Sequence, residues 1–249
     1  MNTEPMIRLH LFFATENDRA VILRQGPSKQ FRMILWHRET DTFEDGQWIK
    51  NKVYVERCGL SPDGQHFIYF LLDGRWNSDG LGSFTALSQP PYWTALSLFP
   101  QGDTWGGGGF FLDDFHYFAD GDADIIGRDE GLSRVKLGEP EKGCTTGIRL
   151  MSGTRAPLDR AATKRLLNEP RPANAWELYK RMAIPEGDAL SRYDTMGGKL
   201  YRRRGQELTL IRDFTDMEFE PIRAPYDWRE PAENGDSSNP WHPLNGSKG

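Results

Sequence analysis

Cysteine is nearly absent from this chain, with Cys58 and Cys144 the only two in 249 residues. That argues against a disulfide framework and for two reduced, partly buried thiols in a cytoplasmic protein. Long apolar runs are missing as well, none approaching the roughly 20 residues of a membrane span. The start Met1-Asn2-Thr3-Glu4-Pro5 is acidic and polar, so no signal peptide and no membrane partner are expected. Positive charge is not in excess. The formal net charge is −5, against general nucleic-acid binding. Local catalytic signatures are lacking too. His10, His37, His66, His116 and His242 are scattered, with no H-E-x-x-H pair, and no G-x-S-x-G occurs.

Aromatic residues, by contrast, are plentiful, with eight Trp and fourteen Phe. A chain of this length buries a core without staples. The clearest local feature is Ser61-Pro62-Asp63-Gly64. Pro62 pre-sets a turn, Asp63 bonds nearby backbone, and Gly64 tolerates positive φ. Behind it, Phe67, Tyr69 and Leu71 share one face, and Ile68, Phe70 and Leu72 the other. Such a run predicts a strand buried on both faces. Weaker alternations precede it at Ile7 to Phe13 and Phe31 to Trp36, with a short apolar run at Ala20 to Leu23. Asp45-Gly46 reads as a hairpin turn, and Val53 and Val55 as the start of the next strand. Further strands are expected at Gly82 to Leu87, Tyr92 to Phe99, Phe110 to Leu112, and on either side of Gly205.

Asp120 to Thr154 is rich in Gly, Asp and Glu and reads as a surface excursion. Pro157 to Asn168 and the capping box Asn174-Ala175-Trp176-Glu177 predict two helices. The expected fold is mainly β. It is an antiparallel meander, propeller-like or of packed sheets, in one domain over residues 1–228 with a two-helix insertion near 157–183. Residues 229–249 read as a flexible tail.

Strand, Ser-Pro-Asp-Gly, strand resembles a phrase of β-propeller blades. Gly197-Gly198-Lys199-Leu200-Tyr201-Arg202, followed by Glu207-Leu208-Thr209-Leu210, is similar to a blade's outer hairpin. Pro91-Tyr92-Trp93-Thr94-Ala95-Leu96, with Trp105 through Asp114, resembles a group of uncharacterised bacterial proteins. That resemblance implies no chemistry. The length departs from a closed ring of six or seven blades.

Two neighbouring stretches are the places for a site. Trp105 precedes four glycines, and Trp105, Gly107, Gly108, Asp113 and Asp114 form a candidate ligand-binding set. The alternative is architectural, a corner where another segment crosses. Between Asp113 and Asp124 lie five carboxylates and one imidazole. Asp113, His116, Asp120, Asp122 and Asp124 are candidate ligands for a divalent cation, or else an acidic solvated loop. Arg202-Arg203-Arg204 is a basic triplet at a hairpin tip, able to meet phosphate or an acidic partner and equally readable as a solvated turn. The resulting expectation is a cytoplasmic protein-interaction module without catalysis or cofactor. Its rival is a metal-assisted hydrolase using residues 113–124.

Overall fold

The structure, a computed structural model, describes residues 6–129, 131–135 and 192–228. The expected helices near 157–183, Cys144 and the tail lie outside the described residues. The described residues are mainly β and form four sheets. Sheet A is a meander of β1 (Arg8–Phe13), β2 (Arg19–Gln25), β3 (Phe31–His37) and β4 (Thr42–Ile49). Sheet B follows with β5 (Lys52–Val53), β6 (Gly59–Leu60), β7 (Phe67–Leu72), β8 (Ser83–Ser88) and β9 (Ala95–Pro100). Sheet C holds β10 (Gly109–Phe111), β11 (His116–Ala119) and β12 (Ser133–Arg134), the last paired in parallel to β11. Sheet D is a second meander of β13 (Tyr193–Met196), β14 (Lys199–Arg204) and β15 (Glu207–Asp213).

The sheets stack face to face in the order D, A, B, C, and side-chain alternation explains why. In β2, Val21 and Leu23 point into a core shared with Phe67, Tyr69 and Leu71 of β7. Ala20 and Ile22 point the other way, onto Leu200 and Phe214 beside sheet D. From β7, Ile68 turns toward Phe111, Tyr117 and Ala119 of sheet C. Sheets A and B are therefore buried on both faces, and their strands read as continuous apolar runs for that reason. A fully buried aromatic or aliphatic side chain contributes roughly 1.5–3 kcal/mol. Trp36 anchors the A–D layer, with its ring parallel to Phe43 at 5.9 Å and edge-on to Tyr193 at 4.7 Å. β1 lies beside both β13 and β6, and β10 beside β6. Among the described residues the sheets close into neither a barrel nor a propeller.

Several boundaries differ from expectation. Asp45-Gly46 is not a hairpin turn: it lies inside β4, at a register shift opposite β3. A Cβ on Gly46 would stand 1.9 Å from the Pro91 carbonyl oxygen. The close crossing of the Pro91 backbone, not a turn, is what glycine serves there. Val55 lies in a single 3-10 turn, Val55–Arg57, rather than in a strand. Tyr92, Trp93 and Thr94 precede β9 instead of joining it. Trp93 is nonetheless core. Its indole donates to the Gln47 carbonyl at 3.0 Å, and the buried Gln47 side chain accepts from the Trp93 and Thr94 amides at 2.7 and 3.0 Å. The expected excursion beginning at Asp120 folds back on the sheets, since the amides of Ile125 and Arg128 donate to the carbonyls of Leu98 and Leu96.

The Ser-Pro-Asp-Gly turn forms where expected. Gly64 has φ +69°, and its amide donates to the Ser61 carbonyl at 2.9 Å. Asp63 accepts from the Ser61 hydroxyl at 2.6 Å and the Gln65 amide at 2.9 Å. The turn also ties sheets together, because the Pro62 carbonyl accepts the amides of Thr15 and Glu16 from the β1–β2 loop.

Candidate functional site

Gly107, Gly108 and Gly109 are buried against neighbouring chain. Gly107 has φ +93°, and a Cβ there would stand 2.1 Å from the Phe70 ring. Its amide donates to Asp120 at 2.9 Å, and the Gly108 amide to the Thr85 hydroxyl at 2.8 Å. Only Trp105 protrudes, 79% exposed, above a turn in which Asp103 accepts its amide at 2.8 Å. Gly107 and Gly108 are thus the corner that leads β10 into the B–C layer, which is the architectural reading of the run.

The carboxylates downstream are spread over separate turns. Asp113 accepts the amides of Phe115 and His116 at 2.8 and 2.6 Å, and meets the His116 ring nitrogen Nδ1 at 2.9 Å. Asp114 reaches back to the Ser-Pro-Asp-Gly turn and accepts the Asp63 amide at 3.1 Å. Asp124 accepts the amides of Leu98 and Ile126, each at 2.9 Å. Asp122 offers its main-chain carbonyl to Arg134 at 2.7 Å. The cluster also contains a strand that periodicity did not reveal, β11, which separates Asp113 from Asp120. Among the described residues no group of three or more His, Cys, Asp or Glu is placed to hold a metal ion. Of the candidate ligands, Asp113, Asp120 and Asp124 accept backbone amides and so cap their own loops.

A consequence follows for Asp113→Ala combined with Asp114→Ala. The change leaves the amides of Asp63, Phe115 and His116 without their acceptors, so a loss of about 2–4 kcal/mol is expected. Urea denaturation measures it. Unchanged stability would show that these carboxylates do not hold the turns.

Concave sites lie elsewhere among the described residues, and two of them bring charged groups together. The larger, of about 690 Å³, is lined by Arg38, Arg192, Arg202, Arg203 and Arg204 together with Asn17, Asp18, Glu39 and Tyr193. It lies where the β1–β2 and β3–β4 turns meet the outer end of β14. Arg202 forks onto Asp41 at 2.8 and 3.0 Å, and Arg203 pairs with Asp194. Arg38 donates instead to the carbonyls of Asp18 and Asn17 at 2.9 and 2.6 Å. The Arg204 guanidinium makes no hydrogen bond or ion pair among the described residues. The triplet Arg202-Arg203-Arg204 was visible in sequence. Its meeting with Arg38 and Arg192 was not, since 164 residues separate Arg38 from Arg202.

The smaller cleft, about 270 Å³, is lined by His66, Gln89, Leu96, Arg128 and Asp129. Its parts come from the β6–β7 turn, the end of β8, β9 and the β11–β12 connection. Burial holds the His66 pKa below the ordinary histidine range, while Asp63 and Asp129 pull the other way. Burial raises the Tyr117 hydroxyl, and Asp129, which accepts its proton at 2.6 Å, raises it further.

No family model matches this chain, and no curated protein or solved structure matches it. Among the described residues no helix is long and apolar enough to cross a membrane. The functional reading therefore rests on the two sites themselves.

Proposed function

We propose that this protein is a cytoplasmic interaction module, without catalysis or cofactor, that takes an acidic segment of a partner protein in its arginine-lined groove. One observation carries the reading: five arginines from three chain segments line a single groove in a chain of net charge −5. Local concentration of one sign against the overall charge favours a partner of opposite sign and speeds its encounter. Arginine suits the task because its planar fork meets carboxylates in pairs. A propeller-like arrangement belongs to the same proposal. It is supported by β13, β1, β6 and β10 lying side by side from one sheet to the next. The rival, a metal-assisted hydrolase at residues 113–124, draws no support from carboxylates that do not converge.

The test is fluorescence anisotropy with a labelled oligoglutamate peptide. Binding is expected at low ionic strength and should weaken as salt rises. Arg204→Glu, which breaks no pair in the fold, should weaken it about ten-fold. Lys29→Glu, an equal charge change on the distant β2–β3 turn, should leave it unchanged. No binding at low salt, or equal losses in both variants, would remove the groove from consideration.

A further inference from the structure

The cleft beside His66 combines features that the fold does not use. Arg128 is held by its backbone, its amide donating to the Leu96 carbonyl at 2.9 Å. Its guanidinium rests over the Trp228 ring at 5.4 Å and makes no hydrogen bond or ion pair among the described residues. The next residue, Asp129, spends one carboxylate oxygen on the Tyr117 hydroxyl at 2.6 Å, which fixes the group in place. A cation and an anion thus stand on successive residues at one cleft, yet face it as separate binding groups. His66 Nδ1 is buried with no hydrogen-bond partner, and a buried nitrogen of that kind disfavours a ring proton there. The neutral ring then carries its proton on Nε2, which makes no hydrogen bond among the described residues. Leu96 supplies an apolar wall and Gln89 an amide. Tyr226 holds the Gln89 backbone by accepting its amide at 3.1 Å.

We propose that this cleft binds a small zwitterion of the α-amino-acid type, its carboxylate forked on Arg128 and its ammonium on Asp129. A volume of about 270 Å³ suits a free amino acid and is small for a nucleotide. Leu96 faces the ligand's side chain, and the His66 ring donates a hydrogen bond to the carboxylate. A guanidinium and a carboxylate lining one cleft favour a ligand with both charges over one with either alone. The site is separate from the arginine groove, so each proposal stands or falls alone.

The experiment uses the full chain with L-alanine, L-leucine and L-glutamine as probes, and with propionate and ethylamine as one-ended controls. Calorimetric titration and thermal unfolding are read together. At least one amino acid should bind and raise Tm, while propionate and ethylamine should do neither. Arg128→Gln, a change at an exposed side chain, should keep the unliganded Tm and weaken binding by about ten-fold or more. Asp129→Asn, which keeps an acceptor for Tyr117, should weaken it comparably. The proposal is overturned if none of the three amino acids binds, if propionate binds as well as the amino acids, or if Arg128→Gln retains full affinity.

Discussion

Arg24→Leu should cost the protein about 3–5 kcal/mol. Arg24 sits in β2 with 1% of its surface exposed, so a charge is buried in the sheet. Its Nε donates to the Phe214 carbonyl and its Nη2 to the Thr215 carbonyl, each at 3.0 Å, and Nη1 donates to the Gly26 carbonyl. The Trp48 ring lies 5.2 Å from the guanidinium carbon. Burial, helped by nearby Arg32, presses the Arg24 pKa downward, yet arginine stays protonated. One side chain thus joins sheet A to the segment after β15, 190 residues away. Leucine fills part of the volume but leaves three carbonyl oxygens without their donor, and that desolvation cost is the larger part of the effect. A fall in Tm on the order of 10 °C is expected in a thermal scan. Arg24→Lys should recover less than half, because an ammonium cannot reach three carbonyls in one plane. Near-wild-type stability of Arg24→Leu would mean that other contacts hold the C-terminal segment.

Gly107→Val is the second large effect, with an expected loss of about 4 kcal/mol or more and poor accumulation of folded protein. Two costs add. The φ of +93° strains any L side chain and a β-branched one most. The new Cβ also meets the Phe70 ring at 2.1 Å. Phe70 cannot retreat, being fully buried in β7, with the Tyr54 ring centred 5.1 Å away and Arg57 over its face at 5.1 Å. Adding Phe70→Ala should therefore rescue Gly107→Val only in part. It removes the clash and leaves the backbone strain, so urea midpoints for the two singles and the double form a cycle with positive coupling. A harmless Gly107→Ala would refute the close crossing.

Much of the β framework was legible in residue order because its signals are local. The continuous apolar run Phe67 to Leu72, the Pro62 and Gly64 turn, and the Gly197-Gly198 and Gly205 punctuation each act within a few residues. They correspond to β7 and to the hairpins of sheet D. Residue order is less decisive where a local signal has two meanings. Asp45-Gly46 suits a turn, yet serves a bulge because the Pro91 backbone crosses there. Asp113, Asp120 and Asp124, candidate cation ligands by residue type, also accept backbone amides, which residue order does not show.

The sequence alone determined that this is a mainly β chain with strands buried on both faces, since burial pattern and turn chemistry are written in neighbouring residues. Only the tertiary structure decided which faces meet. It also decided that Arg24 and Gln47 are buried ties and that His66, Arg128 and Asp129 share one cleft. Those facts depend on sheet stacking, which brings together residues tens to hundreds of positions apart. Nothing in local spacing encodes the order D, A, B, C.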